Sequence, residues 1–174
     1  GLDAQFYHSG SHTYIENNTG NVELIQNTDS GDIIFKSDDG SGGTTEYYRL
    51  DGGDNINYFS KHVKVPDGVK MYMGSSQDLE VYHDSGNSFI VNNTGVLYIR
   101  NTEDDNDICF QSDNGGGSTA TYFFLDGDNV ETTFLKRTHH MDNVEARFGD
   151  GNDLKIYHDS NDSYVDQQGT GDLI

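Results

Sequence analysis

The chain has 174 residues, with thirty acidic side chains against ten basic ones, a formal net charge of −20, one cysteine and only 32% hydrophobic residues. That charge argues against nucleic acid and anionic membranes as partners, because both are polyanions gripped through Lys and Arg. A lone cysteine rules out an intrachain disulfide, and so few apolar residues leave one chain short of material for a core of its own.

In chain order, nearly every apolar run is short, alternating and bounded by Gly, Asn, Asp or Ser, which is strand chemistry. The first strand runs through Phe6-Tyr7-His8, and Ser9-Gly10-Ser11 turns it into Thr13-Tyr14-Ile15. Asn17-Asn18-Thr19-Gly20 makes the next turn. Strands are then expected at 22–26, 33–36, 45–50, 58–59, 62–65 and 70–73. Turn signals recur about every ten residues, as in all-β chains. No segment keeps apolar residues at helical spacing, so helix content should be close to nil.

The first strand returns as Asp78-Leu79-Glu80-Val81-Tyr82-His83-Asp84-Ser85 and again as Asp153-Leu154-Lys155-Ile156-Tyr157-His158-Asp159-Ser160. Its tyrosines stand at 7, 82 and 157, a period of 75 residues twice over. A fixed long period is the signature of repeat architecture. It divides the chain into repeat 1 (1–77), repeat 2 (78–152) and the start of a third (153–174), which reads as a segment of a longer protein. Asn92-Asn93-Thr94-Gly95 and the expected strands at 96–100, 108–111 and 121–125 copy repeat 1, with one residue lost opposite Asn21 and one gained near Glu103. Cys109 takes the place of Ile34 and is expected to be a small buried hydrophobe. The expected fold class is all-β, an elongated repeat-built structure completed by other copies of the chain.

Alternate residues of a strand share a face. Leu79, Val81 and His83 therefore point one way, Glu80 and Tyr82 the other. The economical reading of His8, His83 and His158 is a strand-end residue held by the next Asp or a turn amide. The sharper one sets each on a trimer axis, where a ring of imidazoles could hold a transition metal or an anion. Phe148-Gly149-Asp150-Gly151-Asn152-Asp153 resembles a calcium β-roll motif, but it occurs once, and such motifs work in tandem because each turn completes its neighbour's site. A solvated turn is the simpler account, and Asp51-Gly52-Gly53-Asp54 and Asp126-Gly127-Asp128 read as hairpin turns. No cofactor is implied; Ca2+ and a transition metal are the only ion candidates.

No catalytic residue is assigned and no enzyme is expected. A glycosidase needs two carboxylates at a set separation, one with a raised pKa, and nothing singles out such a pair among thirty acids. Neither a Gly-x-Ser-x-Gly elbow nor a phosphate loop nor a His-Glu-x-x-His motif is present. Lys136-Arg137-Thr138 with His139-His140 reads as an exposed loop. Tyr47, Tyr122 and Phe124 are expected opposite Tyr48, Leu50, Phe123 and Leu125, where core or subunit packing is the plainer reading and stacking on a sugar the sharper one if that face is exposed.

The cassette Asp-Leu-Lys-Ile-Tyr-His-Asp-Ser with Ser163-Tyr164-Val165, its preceding Phe148-Gly149-Asp150-Gly151-Asn152, and the turns at Asn17-Thr19-Gly20 and Asn92-Thr94-Gly95 resemble repeats of tail-fibre and other appendage proteins of tailed bacteriophages, marine and cyanobacterial ones above all. The resemblance spans the whole chain. The first copy departs from it at Ala4 and Ser9, where its strand should pack less tightly. In that family such repeats form a shaft ahead of a self-cleaving chaperone domain, which is not part of this sequence. The resemblance implies a homotrimer of intertwined or β-prism-like structure on the outside of the virion. Its other partners would be fibre or baseplate proteins and, through the tip it displays, host attachment sites. The alternative is a carbohydrate-binding module that contacts a host glycan directly; a depolymerase tailspike, a cellular adhesin and a capsid decoration complete the set.

Overall fold

A computed structural model describes residues 3–174 as fourteen strands, with no helix among them. The chain divides into two compact units, 1–95 and 96–174. In the first, β1 (Ala4–His8) and β2 (Thr13–Asn17) form a hairpin. Next come two three-stranded antiparallel sheets. One is β3 (Ile33–Asp38), β4 (Thr44–Asp51) and β5 (Ile56–Phe59); the other is β6 (Met71–Met73), β7 (Leu79–His83) and β8 (Ser88–Asn92). The second unit holds β9 (Ile108–Asp113), β10 (Thr119–Asp126) and β11 (Glu131–Phe134) in one sheet. Its other sheet contains β12 (Ala146–Phe148), β13 (Leu154–His158) and β14 (Ser163–Gln167). The middle strand lies at the centre of every three-stranded sheet, so each is a plain meander.

Every strand from β3 to β8 has its partner 75 residues on, with identical bounds. The backbone repeats as faithfully. Left-handed φ recurs at Ser30 and Asp105, Asn55 and Val130, Gln77 and Asn152, and Ser85 and Ser160. At Gly10, the counterpart of those two serines, φ is 90°. The sequence explains the exchange. Asp84 accepts hydrogen bonds from the amides of Gly86 and Asn87, and Asp159 from those of Asn161 and Asp162, bracing a serine in a conformation L-residues avoid. The first copy has Ser9 in place of that aspartate and uses glycine instead.

The period and the sheets are out of phase. The sheet β6-β7-β8 straddles the repeat boundary at 77/78, because β6 pairs with β7 through Met71↔Val81 and Met73↔Leu79. A compact unit ends only after the turn that follows β8.

No residue among those described is buried. Within each unit, strands touch only strands of their own sheet, so no sheet lies face to face on another. The chain exposes 14396 Å2, whereas a compact protein of 19.3 kDa exposes about 8,500 Å2. The surplus is roughly 5,900 Å2. Cohesion inside each sheet comes from backbone ladders and cross-strand pairs.

Three expectations are corrected here. Residues 22–26, 96–100 and 62–65 run without a turn or bend and join no sheet among the described residues. Their apolar character was legible, but no strand of the chain lies alongside to pair with them. Around the first two the offset stays at 75 without loss or gain. The Thr28 amide donates to the Gln26 side chain, and the Glu103 amide to that of Asn101. Cys109 is exposed rather than buried, because β9 is an edge strand and no second layer covers its face.

Candidate functional site

The densest side-chain constellations lie on the paired meanders β3-β4-β5 and β9-β10-β11. Register puts Phe35, Tyr48 and Phe59 in one row, with ring centroids 5.6 and 4.8 Å apart. Phe110, Phe123 and Phe134 make the same row in the second unit, at 4.4 and 5.7 Å. Such offset stacks tie three strands together across one face. In the second unit the row floors an open groove of about 350 Å3, walled by Tyr122, Lys136 and Arg137. From the sequence, Lys136 and Arg137 read only as an exposed loop. The signal that could have found them is their position directly after β11, whose Phe134 completes the row.

The register shifts beside Tyr47 and Tyr122, a β-bulge in each meander. A bulge interrupts strict alternation, and Tyr122 borders the same groove as Phe123. Both bulge tyrosines are tethered: Tyr47 Oη donates to the Asp38 carbonyl at 3.1 Å, and Tyr122 Oη to the Asp113 carbonyl at 2.9 Å. Phe124 lies in register with Cys109 and Thr133. Tyr47 and Tyr122 thus occupy equivalent places in separate units, whereas Tyr122 and Phe124 do not form one stacking platform.

On the other face of β4, Arg49 is ringed by acids. It donates to Asp51 at 2.9 Å and Glu46 at 3.1 Å, approaches Asp32 at 3.5 Å, and lies 4.5 Å above the Tyr58 ring. Asp51 is held below its ordinary pKa, first by the Asp54 amide and then by Arg49. In the second unit Phe124 replaces Arg49, and Asp126 is held low by the amide and side chain of Asn129.

The cassette sheets carry the histidines. His8, His83 and His158 are exposed, each directly opposite a hydroxyl residue at the mouth of its hairpin. Nδ1 shares a hydrogen bond with Thr13 at 3.4 Å, Ser88 at 3.1 Å and Ser163 at 3.2 Å. For His83 and His158 the next Asp, one of the two expected partners beside a turn amide, is occupied in the turn, and the cross-strand hydroxyl takes its place. On the reverse face a tyrosine stacks on its neighbour: Tyr7 on Tyr14, Tyr82 on Phe89 and Tyr157 on Tyr164, with centroids 4.7 to 4.9 Å apart. Lys70 closes the middle sheet, 2.7 Å from Glu80 and 4.6 Å above Tyr82.

Among the described residues no three His, Cys, Asp or Glu side chains converge as one chain's metal site. At the β-roll-like turn, the Asn152 amide donates to the Gly149 carbonyl at 3.0 Å, closing an ordinary turn. Asp39, Asp51, Glu80, Asp126 and Asp159 are all held below their ordinary pKa by hydrogen bonds. That is opposite to the raised carboxyl a glycosidase uses as general acid. No helix among the described residues is long and apolar enough to cross a membrane.

No protein-family model, curated protein or solved structure matches this chain.

Proposed function

We propose that this chain is a structural segment of a homotrimeric appendage of a tailed phage, a shaft that carries a receptor-binding tip outside the virion for host attachment. The observation that supports it best is the pairing of a strict repeat with the lack of any core among the described residues. Five small sheets recur at a fixed offset, yet none is covered. A surplus of roughly 5,900 Å2 is several times the 800 Å2 or so that each partner contributes to an ordinary stable interface. Chains built this way reach stability by sharing cores. Three tips on one shaft would raise avidity without any new contact.

Light scattering on the intact chain, with and without a chelator, tests this reading. A trimer indifferent to chelator supports the shaft. Dissociation on chelation would bring metal into the assembly and promote the histidine rings or Asp-Gly turns to ligands. A stable monomer overturns it.

The groove over Phe110, Phe123 and Phe134 favours a second reading, direct binding of a host glycan. An aromatic floor with Lys136 and Arg137 at its side suits an acidic sugar. Glycan-array binding that is lost in Tyr122→Ala would support it; no binding to any glycan would sink it.

A further inference from the structure

We infer that residues 22–26 and 96–100 are strands that pair in trans, hydrogen-bonding to sheet edges of a neighbouring copy of this chain. The inference rests on the self-assembly reading above and says which backbone carries it.

Val22-Glu23-Leu24-Ile25-Gln26 and Val96-Leu97-Tyr98-Ile99-Arg100 occupy nearly the same place in each repeat, after the turn that ends a cassette hairpin and ahead of β3 or β9. Both run without a turn or bend, and from Val22 to Ile25 and Val96 to Ile99 no backbone group makes a hydrogen bond within the described chain. Val96 to Ile99 is a continuous apolar run between turn signals, the pattern of a strand covered on both faces, and Val22, Leu24 and Ile25 keep most of it around Glu23. Here neither face is covered. Val22, Leu24 and Ile25 are 57 to 68% exposed, and Val96, Tyr98 and Ile99 are 64 to 72% exposed.

The occupant follows from three further facts. Each three-stranded sheet leaves its two outer strands with an unpaired row of backbone groups. A second copy therefore supplies both the missing edge and the missing strand. The surplus surface is far larger than one ordinary interface requires. Finally, in a chain of net charge −20, these two segments carry only Glu23 and Arg100. They are places where acidic copies can approach with little repulsion. Backbone pairing along such segments is strand addition between identical chains.

Hydrogen exchange on the intact, assembled chain tests this. Alternate amides of 22–25 and 96–99 should exchange as slowly as those of β4 and β10. Tyr98→Pro removes one donor and blocks pairing, so it should weaken association by at least about tenfold, whereas Tyr98→Thr keeps the amide and should associate like the parent. If the chain assembles but these amides exchange at solvent rates, trans pairing is overturned and the assembly reading survives. Normal association of both Tyr98→Pro and Ile99→Pro, which between them remove an amide from each side of the strand, has the same meaning. A monomer by light scattering overturns both.

Discussion

The meanders β3-β4-β5 and β9-β10-β11 share every strand bound, the bulge and the turn geometry, yet one of their faces has been rewritten. Arg49 with its acids in the first becomes Phe124 in the second, and Tyr58 becomes Thr133. The aromatic row on the opposite face is kept. The shared geometry is thus held by the row and the turns, and the rewritten face is free to vary. What did not vary is small and local. The Gly52 amide donates to Asp32 and the Gly127 amide to Asp107, both at 3.0 Å, locking the end of the central strand to the start of its sheet.

That lock gives the largest expected effect. A Cβ on Gly52 would run into the Gly31 carbonyl, and one on Gly127 into that of Asn106, both backbone atoms that cannot swing aside. Gly52→Ala and Gly127→Ala should each cost about 2 kcal/mol, read as a lower thermal midpoint of the assembled protein. Equal losses are expected. A large loss in only one meander would break the equivalence of the two.

Next comes Val130, a β-branched residue at φ 54° where the first meander has Asn55 at 55°. It is 89% exposed, so no packing compensates for the strain. Val130→Asn should stabilise the protein by about 1 kcal/mol, measured by the same melt. Asn55→Val should reverse the sign.

Acid should act on both meanders alike. Asp51 and Asp126 have folded pKa values depressed by turn amides, so their contribution is present above the ordinary carboxylate range. It is lost as pH falls through that range and then through the lower folded values. A pH titration followed by circular dichroism should show loss of structure beginning below about pH 4. Arg49→Phe should narrow the share of Asp51 without abolishing it, because the Asp54 amide, the first cause of its depression, remains.

The smallest effect is expected from Arg49→Phe itself at neutral pH. It writes the second meander's residue into the first and exchanges a half-buried charge network for apolar contact, a swap whose net cost is small. Its change in thermal midpoint should be well below that of Gly52→Ala. A comparable drop would mean that the charge cluster, not the turns, holds β4.

These contrasts also mark how far the sequence could be read. Alternation located the paired strands, since Phe6, Val81 and Ile156 sit in short runs fenced by turn residues. The period located their copies. It could not reveal that Tyr47 and Tyr122 sit at bulges, because a bulge adds a residue without changing composition, and the expected face of Tyr122 followed from an unbroken alternation. Nor could it show that the histidines face Thr13, Ser88 and Ser163, as that depends on hairpin register. Residues 96–100 read as a strand because pattern reports apolarity, whereas a strand also needs a neighbour, and nothing in a single chain's pattern says where that neighbour lies.

The constant offset of 75 residues has a genetic consequence. Gly20 and Gly95 share a left-handed φ, and each opens a stretch without a turn or bend. A deletion that joined Gly20 to Val96 would recreate a peptide junction already present at Gly95-Val96, and a duplication between the same points would do so in reverse. Misaligned recombination within such a gene therefore adds or removes whole sheets without creating an untested seam. Copy number becomes a trait that selection can adjust in single steps.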